Sequence, residues 1–445
     1  MKVYIDTLGC AKNEYDSQML AASLLEKGCD FTESPQDADI IIVNTCGFIE
    51  AAKRESIERI LELADAAGKD ENGRSSSDIK LVVCGCLAEK YHEELAAELP
   101  EVDMFFGVND YDDLPSILME KASEDGDLVG DGIDDLRYRK RMLPEGAHYG
   151  YLKIAEGCDN ACSFCAIPSI RGPFRSKRIE DCIREAEDMA DAGIKELILI
   201  AQDTSQYGRD LYGEVRLPQL LHELCKIDGI EWIRLLYVYD NGITDELIEA
   251  IKNEAKICKY IDMPIQHISD NVLKTMRRAS RSSGIKSTID KLRREIPNVH
   301  IRTTLLVGSP GETEDDIHDL LDFIENYKID RLGAFAYSDE DGTAAYNMDE
   351  KNPQSVCESR REAVMERQRA ISEELNESTI GKIFDVIVDE IAGDNLYTGR
   401  TEYDAPEIDC EVTFEGPKGL MPGDIVKVKI NSAYEYDLEG EFVKE

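Results

Sequence analysis

Two long stretches of the chain alternate short apolar runs with amphipathic segments of helix length, and this limits the fold more than any other feature. Strand and helix in strict alternation pack as a parallel sheet with helices on its faces, since each crossover must return to the same end of the sheet. Over residues 1–120 the pattern gives three such units, with strands at 2–7, 39–44 and 79–83. Asn13 is positioned to cap the first helix and Gly28 to end it; the second helix runs over about 48–66, and the third stops before Pro100. Six more strands fit at 149–155, 195–201, 232–238, 260–263, 299–307 and 331–337. Six β/α units make an incomplete barrel of the TIM type, whose active site lies at the carboxyl ends of its strands. A charged helix over 353–377 leads out of it. Beyond residue 382 the period falls to two, at 383–389 and 424–429, with Gly and Pro between, as in a small antiparallel OB-like barrel of about five strands. The expected class is α/β in four segments: an open parallel sheet (1–120), a polar linker (121–143), the partial barrel with its exit helix (144–377), and the terminal barrel (378–445).

A length of 445 residues fits about three domains at roughly 150 residues each. With 42 % hydrophobic residues the chain can bury real cores. The longest apolar runs are strand-sized, well short of the roughly 18 residues of a membrane span. No apolar h-region follows Met1 and Lys2, so the expected location is the cytoplasm, with no membrane partner. The 92 acidic residues outnumber the 51 basic ones, for a formal charge of −41. Such a field repels nucleic-acid phosphates and attracts basic partners, although solubility alone would also favour it. The one strongly basic run, Arg137–Arg141, reads as a cover for an acidic face of the same chain rather than an RNA contact.

Thirteen cysteines in a reducing compartment point to metal ligation rather than disulfides. Cys158, Cys162 and Cys165 form a CxxxCxxC run just past an expected strand. Three thiolates so close can wrap one iron–sulfur cluster and leave its fourth iron open to a cofactor. A structural zinc site would need a second Cys pair or a His, and none stands nearby in sequence. Cys10, Cys46 and Cys86 each follow one of the first three strands. In an open parallel sheet those positions line one crevice, so the three converge despite wide spacing. On spacing alone they suit a second cluster or three unrelated buried thiols equally well. Cys84 lies within its strand and Cys86 beyond it, which makes Cys86 the better ligand. Cys29, Cys182, Cys225, Cys258, Cys357 and Cys410 read as packing residues.

The CxxxCxxC loop on a six-unit barrel resembles the radical S-adenosylmethionine superfamily. That resemblance implies that Cys158, Cys162 and Cys165 hold a [4Fe-4S] cluster whose open iron chelates S-adenosylmethionine, which is cleaved to a 5′-deoxyadenosyl radical. Phe164 matches the aromatic usual before the last cysteine. Gln202, Asp203, Gln266 and the turn Gly308, Pro310, Gly311 and Glu312 are strand-end candidates for cofactor contact. His267 reads as a hydrogen-bonded loop residue. Residues 7–17 (TLGCAKNEYDS), 44–46 (NTC) and 85–87 (GCL) are similar to the N-terminal domain of the methylthiotransferases, and the C-terminal barrel to their TRAM domain. The likeness covers essentially the whole chain. It implies a second [4Fe-4S] cluster on Cys10, Cys46 and Cys86, carrying an extra sulfur, and two S-adenosylmethionine molecules per turnover. Residues 167–176 (IPSIRGPFRS), 262–270 (DMPIQHISD) and 399–407 (GRTEYDAPE) are similar to the branch that modifies an aspartate of ribosomal protein S12 rather than a tRNA adenosine. The departure from the family is Ser309, where Phe is usual. Over residues 378–445 six Lys and Arg face sixteen Asp and Glu. A tRNA-binding barrel should be basic, whereas an acidic one steers a basic ribosomal protein. An external electron donor is the other expected partner.

Overall fold

The computed structural model describes residues 1–69, 77–111, 113–120 and 136–444, so most of the linker expected at 121–143 lies outside the described residues. The first sheet holds β1 (Lys2–Thr7), β2 (Asp30–Phe31), β3 (Ile40–Thr45), β4 (Lys80–Gly85) and β5 (Met104–Phe105), all parallel, in the order β2-β1-β3-β4-β5. Its three inner strands are those read from the sequence; the two edge strands are too short to carry a period. Ile41, Ile42 and Val43 in β3 and Leu81, Val82 and Val83 in β4 are wholly buried, because helices cover both faces.

The flanking helices are α1 (Ala11–Glu26), α2 (Glu50–Ala66) and α3 (Cys86–Glu98). Asn13 is not the cap of α1. Cys10 occupies that position, with extended backbone and no side-chain cap bond. Asn13 is instead buried and donates its amide to the carbonyls of Leu8 (2.8 Å) and Thr45 (3.0 Å), tying the ends of β1 and β3 together. A buried amide with strand-end carbonyls in reach satisfies more backbone there than it would as a cap. Gly28, at a φ of 86°, follows the end of α1 as expected.

Next come β6 (Tyr149–Lys153), the two-residue hairpin strands β7 (Ala155–Glu156) and β8 (Arg175–Ser176), then β9 (Glu196–Ile200), β10 (Trp232–Leu235), β11 (Ile257–Asp262), β12 (His300–Val307) and β13 (Arg331–Ala336). Six of these form a parallel sheet in the order β13-β12-β11-β10-β9-β6. The order never reverses, so the sheet wraps around one core as an open barrel. The exit helix Gln354–Glu377 packs along β13.

The last unit is a closed barrel of β14 (Ile383–Gly393), β15 (Leu396–Thr401), β16 (Val412–Glu415), β17 (Ile425–Ala433) and β18 (Leu438–Phe442). It is not antiparallel throughout: β16 and β18 run parallel, with Val412 opposite Leu438. A ring with an odd number of strands cannot alternate direction all the way round, so one parallel pair is unavoidable. The barrel is clamped to the central sheet by buried charge. Glu196 of β9 takes Arg234 of β10 at 2.6 Å and Arg400 of β15 at 2.9 Å. Arg331 pairs with Asp404 at 2.8 Å, and Tyr260 donates to Asp409 at 2.6 Å.

Replacing Glu196 with Ala would leave two buried guanidinium groups short of their shared carboxylate, an expected loss of about 3–5 kcal/mol. Equilibrium urea unfolding measures it; a loss below about 1 kcal/mol would mean that this clamp is not what seats the barrel.

Candidate active site

The loop between β7 and β8 carries Cys158, Cys162 and Cys165 at the carboxyl end of β6. Its backbone is fixed on several sides. Cys158 donates to the Gly172 carbonyl (3.2 Å), Cys165 to that of Cys162 (3.2 Å), and Ser163 to that of Met276 (3.0 Å). Cys158 and Cys162 are buried and Cys165 half-buried. Asn160 donates both to the Cys158 Sγ (3.5 Å) and to Asp203 (2.8 Å). The Arg278 guanidinium reaches the Cys162 Sγ at 3.9 Å, lies 4.1 Å above the Tyr239 ring and donates to the Pro264 carbonyl at 2.8 Å.

The structure brings the second set of thiols together as well. Cys10 follows β1, Cys46 follows β3, and Cys86 opens α3 directly after β4. Gly9, at a φ of +95°, lets the first loop close on the second: a Cβ there would stand 2.7 Å from the Cys46 Cβ. Asn13 is the hub. Its amide holds the carbonyls just before Cys10 and Cys46, and its oxygen accepts from the Cys86 thiol (3.8 Å) and from Arg171 (2.9 Å). Cys84 faces the core between sheet and helix, and burial raises its thiol far out of the reactive range.

A buried charge network ties the second set to the loop that carries the first. Arg171 donates to Asp16 (2.9 Å), Glu156 (3.0 Å), Asn13 and the Cys86 Sγ (3.2 Å). Lys153 donates to Asp16 and Glu156, each at 2.6 Å, and Gln202 donates to Glu156 at 2.6 Å. Asp16, Lys153, Glu156 and Arg171 were not singled out from the sequence. Asp16 and Arg171 lie inside the motifs that carried the family likeness, but pairing across 155 positions leaves no local signal.

Burial pushes the Cys86 and Cys165 thiols up to about 12 and raises those of Cys46 and Cys158. Thiols placed so keep their protons unless a metal takes the proton's place, which is what coordination does. Among the described residues no three ligand side chains close on a single metal ion. Three thiols are the protein donor set that would hold a [4Fe-4S] cluster with one iron left open.

Phe164 and Gln266 line a cavity of about 800 Å³, with Phe48 from the loop after Cys46 and Thr304, Phe335 and Tyr337 from the ends of β12 and β13. Gln202 and Asp203 stand at the end of β9 and are engaged by Glu156 and by Asn160 and Ser205. In the turn Gly308, Pro310, Gly311 and Glu312, the first and last residues pack against the exit helix, and the Gly311 N–H donates to the Glu350 carbonyl at 2.8 Å. A Cβ on Gly308 would meet the Cys357 Sγ at 2.3 Å, so close approach of that helix accounts for the glycine. Glu312 accepts from the Gly308 N–H at 2.9 Å and from Arg360 at 3.0 Å, and burial pushes its carboxyl up to about 7. Burial lowers His267 to about 4; its Nδ1 accepts from the Ser269 N–H at 3.0 Å, as a neutral loop residue does. At the end of the basic run Arg141 folds onto Glu185 (2.9 Å) and Gln18 (3.0 Å) of the same chain.

A six-strand open barrel with a CxxxCxxC loop at its first strand end defines a radical S-adenosylmethionine enzyme. The radical SAM superfamily matches residues 152–324, a family described only as uncharacterized (UPF0004) matches 2–107, and the TRAM domain matches 380–443. The fold is shared with TsrM of Kitasatospora setae, a radical S-adenosylmethionine methyltransferase (TM-score 0.56, 13 % identity, 88 % of this chain and 79 % of that one). It is shared too with the cobalamin-dependent radical enzyme OxsB (TM-score 0.54, 13 % identity, 83 % and 57 %). Full-length relatives are closer. Ribosomal protein uS12 methylthiotransferase RimO of Clostridioides difficile is 45 % identical over 100 % of this chain and 99 % of its own length, and RimO of Thermoanaerobacter sp. is 47 % identical over 99 % of each. The chain belongs to the RimO family of radical S-adenosylmethionine methylthiotransferases. That superfamily works with a [4Fe-4S] cluster and S-adenosylmethionine. Among the described residues no helix is long and apolar enough to cross a membrane.

Replacing Arg171 with Met would leave Asp16 and Glu156 to share Lys153 alone, an expected loss of about 3–5 kcal/mol, part of it recovered by Lys. Thermal unfolding with limited proteolysis between the first two units checks it; wild-type stability and protection in R171M would remove the network as the link between them.

Proposed function

We propose that the chain methylthiolates the β-carbon of an aspartate on ribosomal protein uS12, using two [4Fe-4S] clusters. One observation carries the reading: Arg171, six residues beyond Cys165 on the loop of the first three-cysteine set, donates to the Cys86 sulfur of the second. Two such sets in one chain suit a reaction that needs both a radical source and a sulfur source. The cluster and S-adenosylmethionine supply, when bound, the 5′-deoxyadenosyl radical that takes hydrogen from an unactivated carbon.

The chain's own residues do the rest. Cys158, Cys162 and Cys165 would hold the radical-generating cluster, and Cys10, Cys46 and Cys86 would hold the second, which would supply the sulfur to be transferred. Asn160 and Arg278 donate to sulfurs of the first set and Arg171 to one of the second, offsetting thiolate charge in a buried setting. Phe164 and Gln266 line the largely apolar cavity shared by the two loops. Gln202 orients Glu156, and Asp203 holds Asn160 against Cys158. Gly308, Pro310, Gly311 and Glu312 seat the exit helix behind the cofactor's pocket.

The TRAM barrel takes part in docking. Asp389, Asp404 and Asp409 are used inside, against Arg400, Arg331 and Tyr260. Glu390, Asp394, Glu411, Glu415 and Glu441 are exposed and offer a basic ribosomal protein a complementary field, while repelling tRNA. An external donor supplies the electron. The reaction is expected in the cytoplasm, where ribosomal proteins and reduced thiols coexist.

Anaerobically reconstituted protein should carry about eight irons per chain, and each triple-alanine variant about four. Cys162→Ala should abolish both cleavage of S-adenosylmethionine and methylthiolation of uS12, read by mass spectrometry. Cys46→Ala should retain cleavage without transfer; normal product from that variant would refute the two-cluster reading.

A further inference from the structure

Lys12 is the one residue of the first helical turn that faces the barrel with a charge left over. It is 7 % exposed, and its Nζ lies 3.7 Å from the centre of the Tyr237 ring at the carboxyl end of β10. Among the described residues the ammonium has neither a hydrogen bond nor an ion pair. The other cations nearby are committed. Arg171 and Lys153 are shared between Asp16 and Glu156, and Arg278 is held by the Pro264 carbonyl. A buried ammonium with no carboxylate in contact is expensive to keep without a ligand that supplies one.

The platform under Lys12 is fixed as well. Tyr237 has a φ of 59°, uncommon for a bulky residue, and its N–H donates to Asp262 (2.9 Å), which Arg302 holds in turn at 2.8 Å. The ring therefore presents its face to the amine in one orientation. Cys10, two residues before Lys12, belongs to one thiol set, and Tyr237 stands at the end of the strand beside β9. The ammonium thus lies between the sulfur-bearing loops and the mouth of the barrel. Its chemistry calls for an ionised carboxylate. Two ligands of the proposed reaction carry one: the target aspartate and the methionine moiety of S-adenosylmethionine.

We propose that Lys12 binds the side-chain carboxylate of the substrate aspartate and so fixes the adjacent β-carbon between the two thiol sets. The inference rests on the uS12 reading above. A charged pair at a desolvated site fixes orientation as well as affinity, and it separates aspartate from asparagine at the same position.

The test is binding, measured apart from turnover. Peptides spanning the target loop of uS12, one with the natural aspartate and one with asparagine in its place, are titrated by calorimetry against the reconstituted full-length protein. Wild type should prefer the aspartate peptide by about 10- to 100-fold. K12M and K12Q should lose that preference, mainly by weakening the aspartate peptide, and K12R should restore most of it. Binding of S-adenosylmethionine should change less than about threefold in all three variants. A preference that survives in K12M and K12Q would overturn the proposal, as would weakened S-adenosylmethionine binding with the peptide preference intact, which would assign Lys12 to the cofactor carboxylate. Failure of both peptides to bind wild type would instead sink the substrate reading, and the proposal with it. If K12M does not fold, the contrast between K12Q and K12R decides the same question.

Discussion

Four buried charges hold the architecture in register. Asp16 comes from the first unit, and Lys153, Glu156 and Arg171 come from the second; all four are buried. Removing that many charges from water is costly, and a similar volume of apolar side chains would serve stability as well or better. What the network adds is geometry. Two cations and two anions interlock through four contacts of 2.6–3.0 Å, an arrangement met at one relative placement of the two units. Both thiol sets hang on loops within a few residues of these charges, so the same placement sets how the sets face each other. A sliding apolar interface would hold the units together without fixing that.

The electrostatic plan is inverted between surface and interior. The outside is heavily acidic, yet Lys12, Lys153, Arg171 and Arg278 gather around the cysteines. Sulfur sites carry negative charge once their thiols are deprotonated, and in a low-dielectric setting that charge must be met by cations or N–H dipoles. Three of the four cations are tied to carboxylates or a carbonyl, which keeps them in position when the sulfur sites are empty. The acidic surface then does not compete for them, because it is separated from them by the two sheets and their helices.

Much of this was legible in the sequence, for identifiable reasons. The inner strands β3, β4 and β9 are rich in Ile, Leu and Val and β12 alternates in burial, each long enough to carry a pattern, and both thiol sets lie in segments that follow strand ends. The edge strands β2 and β5, of two residues each, carry no period and were missed. Asn13 looked like a helix cap because Asn favours caps, but tertiary contacts claimed it. The parallel pair of β16 and β18 follows from ring parity, which is a property of closure and not of any local segment. The turn at 308–312 has a packing role that its composition does not announce. Gly308 is required by the sulfur of Cys357, nearly fifty residues on, a contact that no local pattern signals.

The same distinction governs how the net charge should be read. Counting residues assigns the C-terminal barrel a strong negative field, but several of its acids are buried against arginines of the central sheet or its own strands. Glu196 even lends a carboxylate to Arg400, so the clamp draws on charges from both sides. Acids spent in that way are invisible to an approaching partner, since each is neutralised within about 3 Å. The field that a basic protein meets comes from the loops and outer strand faces, where Glu390, Asp394, Glu411 and Glu415 stay in solvent. Holding the barrel still and presenting a field therefore fall to different acids of one small domain. This is why a change at Asp404 should act through stability and a change at Glu411 through the salt dependence of association.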